Sequence, residues 1–324
     1  MRTYLRIFII IFMFPGIYLV IRGSTKGNQI ENYPDFITNN EDYYVTRIGS
    51  VPDIDASSYR LTVTGLVKIP RPFTLEELRR LDMVEFPLTV ECIGNSPKGP
   101  LLSTAIWKGF RVYDFLVSLG LDNKATGVQY RAEDGYYASH TLEQIKTNGT
   151  IGALYMNGEV IPPKHGFPLR FLNPGYYGVK QPGWVTELKV IDMPIKDYWE
   201  DRGWDCSPPI EIDATIFFPK DGIKVEAGKA FEVGGAAFGG KRVKNVEVTI
   251  DRGKTWQDAE IVKSMDADNV WVFWKATLII PETGKYSINV RATDINGNVQ
   301  QEDDPDRYDG TNDWPVLNVR VIER

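Results

Sequence analysis

Leu88-Thr-Val-Glu-Cys92-Ile-Gly94-Asn95 reads as a strand that stops at a glycine–asparagine turn and leaves Cys92 at its end, facing a loop. Upstream, Leu61, Val63 and Gly65 mark another strand, and Thr74 with Glu77 three residues later forms a capping box that opens a helix through Leu81. Downstream, Arg111 to Leu119 reads as a short helix with Gly120 as its C-terminal glycine. Beyond residue 205 helical patterns give way to alternation at Val246, Val248 and Ile250, at Ile288, Val290 and Ala292, and over Val316 to Ile322. Turns at Asp251-Arg-Gly253 and Asp294 to Gly297 separate these runs, so they predict an antiparallel, immunoglobulin-like sandwich. The expected fold class is α+β: a mixed α/β domain over 43–204, then an all-β immunoglobulin-like sandwich over 205–324, joined near the stiff pair Pro208-Pro209.

The first 22 residues carry Arg2, Arg6 and an apolar run from Ile7 to Ile21, shorter than the ~20 residues that span a bilayer comfortably. This segment is either a signal peptide or a membrane anchor. Both readings expect export to the periplasmic or extracellular face; a cytoplasmic face also stays open, because Arg2 and Arg6 do not form the adjacent arginine pair of folded-protein export signals. Residues 23–42, rich in Gly, Ser and Asn, read as a polar tether.

Composition narrows the chemistry. A net charge of −6 over 324 residues gives no basic field for nucleic acid, so an anionic ligand must be held by a local cluster. Two cysteines and two histidines are too few for a zinc finger, an iron–sulfur cluster or a disulfide scaffold. No Gly-x-Ser-x-Gly elbow accompanies His140 or His165, which argues against a triad hydrolase. Gly235 to Lys241 imitates a phosphate loop, but Arg242 stands where Ser or Thr must hold magnesium and strands follow. Asn148-Gly-Thr150 has the form of a glycosylation site and says little. Cys92 and Cys206 leave two readings: a disulfide in an exported protein, or a Cys92 thiolate offered to a soft metal at the mouth of a cleft.

Several separate segments share an order with one family. Thr89-Val-Glu-Cys92-Ile-Gly94-Asn95, then Ser103-Thr-Ala-Ile-Trp107-Lys-Gly109, resembles the molybdenum-binding segment of the sulfite oxidase family of molybdopterin enzymes. His165-Gly-Phe-Pro-Leu-Arg170, Pro174-Gly175-Tyr-Tyr-Gly178-Val-Lys180 and Trp184 are similar to its pterin-phosphate segment. Gly234 to Gly240 and Val246 to Trp256 are similar to its dimerisation domain. The resemblance implies molybdenum held by molybdopterin with Cys92 as the protein's metal ligand, the electron chemistry belonging to the cofactor. It implies cofactor contacts from Tyr44, Thr46, Arg47, Asp134, His165, Arg170, Lys180 and Gln181, with Arg170 offering a bidentate fork to the phosphate and His165 and Lys180 adding donors. Aligning on Val51-Pro52 places Thr46 at the family's anion-binding arginine, whereas a one-residue deletion restores Thr46-Arg47 to that pair; both registers stay open. Cys92, Arg47 and Trp204 are the catalytic candidates, Trp204 standing where sulfite oxidases keep a substrate-site tyrosine.

The pattern also departs from the family. Ser96-Pro97 replaces a pair of arginines, and Gly183 replaces the lysine before the tryptophan. A doubly charged oxyanion needs fixed cations in a partly dry pocket, so these losses weaken sulfite as substrate unless Lys98, Arg47, Lys180 or Arg202 substitute. The resemblance therefore implies a two-electron oxygen-atom transfer enzyme for a small oxyanion or sulfur-containing substrate, either oxidising sulfite or reducing a sulfoxide or another oxyanion. A surface binding module is the remaining alternative. No haem-binding Cys-x-x-Cys-His is present, so a separate electron-transfer partner such as a cytochrome is expected. A homodimer through the β domain is expected as well.

Overall fold

The structure, a computed structural model, describes residues 32–324 apart from 194, 307 and 311; the expected signal or anchor lies outside the described residues. Among the described residues no helix is long and apolar enough to cross a membrane.

The first half builds two sheets and three short helices. One sheet runs Arg71–Thr74, Arg60–Gly65, Val185–Ile191, Gly127–Ala132, Tyr137–Thr141, with Arg60–Gly65 and Val185–Ile191 paired in parallel. The other runs Met83–Glu91, Leu102–Arg111, Ile151–Met156, Glu159–Val160, and Arg170–Leu172 pairs with Ile151–Met156. Leu61, Val63, Leu78, Leu116, Tyr130 and Leu188 fill a core that these elements share. The capping box at Thr74 and Glu77 is formed as expected, and a second at Thr141 and Gln144 starts the helix Leu142–Asn148. Gly120, at φ +72°, follows the helix Val112–Ser118 in the left-handed region that glycine adopts without strain. The strand leading to Cys92 begins earlier than its alternation suggests, at Met83, ends at Glu91, and takes Pro87 into its middle. It tolerates the proline because it is the edge of its sheet.

The second half is the expected sandwich. Asp213–Phe218, Ala230–Phe238, Val272–Ile279 and Glu260–Lys263 form one sheet; Ile223–Glu226, Val316–Ile322, Gly284–Asp294, Val243–Thr249 and Gln257–Asp258 form the other. Along Val316–Ile322 every second residue is buried, Leu317, Val319 and Val321 pointing into the core between the sheets. The glycine run that imitates a phosphate loop lies mostly in the strand Ala230–Phe238, where a Cβ on Gly235 would stand 1.8 Å from the Thr215 carbonyl oxygen.

Residues 32–42 do not form the polar tether expected of them. Tyr33 and Phe36 are buried in a third apolar cluster with Ile93, Tyr177, Phe238 and Phe273, drawn from both halves. The Tyr33 ring stacks on Phe273 at 5.0 Å and its hydroxyl donates to the Trp274 carbonyl at 2.6 Å, while Trp271 Nε1 donates to the Phe36 carbonyl at 2.9 Å. Burying each ring stabilises the fold by roughly 2 kcal/mol, which with these hydrogen bonds offsets part of the entropy lost in ordering the segment.

Candidate active site

Cys92 follows the strand Met83–Glu91 and opens a loop that closes back on itself. Cys92 N–H donates to the Leu101 carbonyl at 3.0 Å and Asn95 N–H to the Cys92 carbonyl at 2.8 Å. The Asn95 side chain ties the loop further, its Oδ1 accepting from Leu101 N–H at 3.0 Å and its Nδ2 donating to Glu91 Oε1 at 2.9 Å. A Cβ on Gly99 would overlap Asn95 Oδ1 at 2.1 Å, so this closure requires glycine there. Burial pushes the Glu91 carboxyl up to about 7 against that Asn95 bond. Cys92 and Cys206 are both free thiols, so the disulfide reading is not realised. Burial raises the Cys92 thiol above its ordinary range; hydrogen bonds from the Gly94 backbone and the Thr46 side chain oppose this, and the Glu91 charge adds to it. A bound metal cation would reverse that balance and favour the thiolate.

Cys92 opens into a hollow of about 980 Å³, its open mouth included. Tyr44, Thr46, Arg47 and Trp204 line it, as do Asp134, His165, Arg170 and Gln181. The uncertain Tyr44–Ile48 segment thus brings both of its candidates in: Thr46 meets the Cys92 thiol, while Arg47 is exposed, its Nε donating to the Gly49 carbonyl at 2.8 Å. Asp134 also accepts from Tyr136 N–H at 3.0 Å, so it shapes its turn as well as the pocket wall.

Three expected contacts have their side-chain polar groups engaged within the protein. Lys180 does not line the hollow: its buried ammonium is spent on Asp197, on the Ser139 carbonyl at 3.2 Å and on Glu200 at 3.6 Å. Gln181 has its side-chain amide committed elsewhere, donating to the carbonyls of Asn173 at 2.8 Å and Tyr176 at 2.9 Å and accepting from Asn173 N–H. His165 Nε2 faces the Asn40 carbonyl at 2.6 Å. A carbonyl only accepts, so that nitrogen carries the proton. Burial holds the His165 pKa below its ordinary value, so Nδ1 stays unprotonated and the ring has no spare donor for a cofactor.

Arg170 keeps its place. Its guanidinium lies 5.5 Å from the Trp107 ring centroid and its Nη1 donates to the His165 carbonyl at 3.3 Å, while its Nε is buried without a partner among the described residues. Tyr43 Oη and Trp107 Nε1 are buried and unpartnered too, and the Tyr43 ring meets Trp107 edge-on at 5.9 Å and His165 at 5.3 Å. An unmet buried donor costs about 1–3 kcal/mol, so Arg170, which lines the hollow, suits a hydrogen-bond-accepting, anionic group. Among the described residues no three His, Cys, Asp or Glu side chains gather to hold a metal. A metal at Cys92 would therefore take one protein ligand and draw the rest from a cofactor, which fits a sulfur-donating organic group.

Residues 48–199 match the family model "oxidoreductase molybdopterin binding domain", and residues 208–320 match "Mo-co oxidoreductase dimerisation domain". This chain belongs to the sulfite oxidase family. Its cofactor is accordingly molybdenum bound by molybdopterin. A nitrate reductase [NAD(P)H] of Hordeum vulgare is 30% identical over 82% of this chain and 37% of its own length. The sulfite oxidase of Arabidopsis thaliana is 27% identical over 82% of this chain and 83% of its own, and that of Mus musculus mitochondria is 28% identical over 89% and 60%. The chain thus spans only about a third of the nitrate reductases it matches, 37% in barley and 34% in Volvox carteri. The solved sulfane dehydrogenase SoxCD of Paracoccus pantotrophus shares the fold, with a TM-score of 0.75 at 20% identity over 88% of this chain and 84% of its own.

As a family member the chain has an unusual substrate side. Gly183 and Gly166 meet back to back, a Cβ on Gly183 standing 2.7 Å from Gly166 Cα, so no lysine fits at 183. Lys98 reaches away to the Val316 carbonyl and to Asp221 at 3.6 Å. Arg202 lies 3.5 Å over the Tyr198 ring and donates to the Tyr198 carbonyl at 2.6 Å. Trp199 and Tyr136, not singled out beforehand, join Trp204 in the wall. Their signal was the aromatic pairing of Tyr136-Tyr137 and Tyr198-Trp199, which reads equally well as core.

Proposed function

We propose that this enzyme transfers an oxygen atom, with two electrons, to or from a small substrate bearing at most one negative charge, such as nitrate or a sulfoxide, in preference to sulfite. The observation that carries this is the fate of the four cations able to replace the missing arginines and lysine. Lys98, Lys180 and Arg202 are committed to protein partners, which leaves Arg47 at the mouth. Of the hollow's other cations, Lys164 is paired with Glu41 at 2.9 Å and Arg170 faces the cofactor's anionic end, so one exposed guanidinium is left to offset one charge, and a dianion brought among Trp199, Trp204 and Tyr136 would stay largely uncompensated.

When bound, the molybdenum–pterin group supplies the two-electron redox change and the transferable oxygen. Cys92 is the metal's protein ligand, its loop fixed by Asn95 so that the sulfur is preset. Thr46, hydrogen-bonded to that sulfur, steadies the thiolate. Arg170, with Tyr43 and Trp107 behind it, offers the donors for the cofactor's anionic end. The aromatic wall excludes water on the substrate side, and Arg47 draws in and orients a polar oxygen. A homodimer through residues 208–320 and a separate redox protein such as a cytochrome complete the reading, supported by the dimerisation model. The apolar run Ile7 to Ile21 supports export or membrane attachment.

The test uses protein from a molybdate-supplied host, with metal and pterin content measured, then turnover of sulfite, nitrate and a sulfoxide with artificial electron acceptors and donors. The expected result is a higher kcat/KM for nitrate or the sulfoxide than for sulfite. Sulfite as the best of the three overturns the reading.

A further inference from the structure

Lys180 and Asp197 form an ion pair that the proposed reaction leaves unused. Lys180 is 5% exposed and Asp197 fully buried. The ammonium donates to the Asp197 carboxylate and the Ser139 carbonyl and has Glu200 beside it at 3.6 Å, so its charge is met from within the protein. Asp197 Oδ1 accepts from Ser139 N–H at 2.6 Å and from Ser139 Oγ at 2.8 Å, and Asp197 N–H donates to Glu200 Oε2 at 2.8 Å. A buried pair of this kind is a poor stabiliser, because desolvation cancels most of its attraction and apolar replacements often do as well. Its place in the molecule suggests another use.

The pair joins two stretches of the pocket lining. Lys180 ends the 3-10 turn Gly178–Lys180, and its neighbours Val179 and Gln181 line the hollow. Asp197 opens the segment that carries Trp199 and Trp204. That segment is closed by Gly203 N–H to the Glu200 carbonyl at 3.2 Å and Trp204 N–H to the Trp199 carbonyl at 3.1 Å, so a shift at Asp197 or Glu200 carries to Trp204. Trp204 in turn stands over the Cys92 loop, its Cη2 3.5 Å from where a Cβ on Gly94 would lie. The aromatic wall therefore has a buried strut behind it, and Gly94 sets how near it comes.

We propose that Lys180 and Asp197 are positioning residues for the reaction: their ion pair holds Trp199 and Trp204 at a fixed height above Cys92 and so sets the fit of the substrate, with no contact to the cofactor. The kinetic part of this rests on the function proposed above; the placement of Trp204 does not.

The experiment uses the full chain loaded with cofactor. Lys180→Met and Asp197→Asn each break the pair, the neutral double variant Lys180→Gln/Asp197→Asn guards against misfolding around a lone buried charge, and Lys180→Arg serves as the conservative rescue. Each is compared with its Trp204→Phe counterpart, so that the Trp204 share of the tryptophan fluorescence and of its acrylamide quenching is isolated. A displacement of about 1 Å in a positioned group can cost on the order of 10²-fold. The expected result is molybdenum and pterin content within ~2-fold of the parent, an altered Trp204 signal, and substrate KM raised ~10-fold or more while kcat changes less, with Lys180→Arg closer to the parent. Pterin content falling in Lys180→Met but not in Asp197→Asn would make Lys180 a cofactor ligand and overturn the proposal. An unchanged Trp204 signal in the neutral pair overturns it as well. Should none of the tested substrates turn over, the function proposed above fails, and the fluorescence of Trp204 still decides the strut.

Discussion

The pocket-bearing half and the sandwich behind it treat their polar groups differently. In the sandwich Arg291 meets Glu247 at 2.9 Å, Lys275 meets Glu232 at 2.9 Å, and Arg242 is shared between Asp266 and Asp268. In the hollow, Arg47 and Arg170 have no carboxylate partner among the described residues, and Arg170 Nε, with Tyr43 Oη and Trp107 Nε1 in the core beside it, goes unmet. Exposed pairs contribute only about 0–1 kcal/mol each, so the contrast is not one of stability. It teaches that the first half leaves two arginines of the hollow unneutralised, though Lys164 there is paired with Glu41, while the sandwich closes its charges on itself.

The hardest blow to this comparison falls on Cys92. Cys92→Ser is expected to lose more activity than the ~100-fold typical of changes one shell out from a metal, with molybdenum content reduced and the circular dichroism unchanged; full activity with full metal would break the site assignment. Leu317→Ala should do the reverse. It opens a cavity in the sandwich core and costs ~2–4 kcal/mol in denaturant unfolding, while metal content per folded chain stays at the parent level. Arg170→Met sharpens the contrast, because it removes an unmet buried donor along with the cofactor's fork. Cofactor-free protein should become more stable by about 1 kcal/mol, and pterin retention should fall by ~10-fold or more; a less stable apo form would show that Arg170 is already satisfied. The smallest effect belongs to Asp251, whose bonds from Thr255 and Thr249 hold its pKa at about 2 against an ordinary 3.8. A depressed acid adds stability above its unfolded pKa and loses it as pH falls towards the folded value. Asp251→Asn should therefore flatten the melting-temperature profile between pH 3.8 and about 2 and leave it parallel near neutrality.

Much of this was legible in the sequence because it depends on local rules. Alternation found the sandwich strands, Thr74 and Glu77 announced their helix, and the strand-then-glycine pattern put Cys92 at the mouth of a loop. What stayed hidden depends on partners distant in the chain. Nothing around Lys180 shows that Asp197 and Glu200 will take its ammonium, or that Asn173 and Tyr176 will claim the amide of Gln181. Residues 32–42 misled for the same reason, since polar composition cannot reveal that Tyr33 and Phe36 have rings waiting for them beyond residue 200. The register at Thr46 and Arg47 was ambiguous only as an alignment; in space the two residues share one hollow.

The back-to-back contact of Gly166 and Gly183 also bears on how such a pocket can change during descent. Each glycine occupies the volume into which the other's side chain would grow, 2.8 Å one way and 2.7 Å the other. Gly166 is held besides at φ +110°, where other residues are strained. A cation cannot be placed at 183 by one codon change, because the backbones must first part. The contact acts as a ratchet against a long side chain returning at 183.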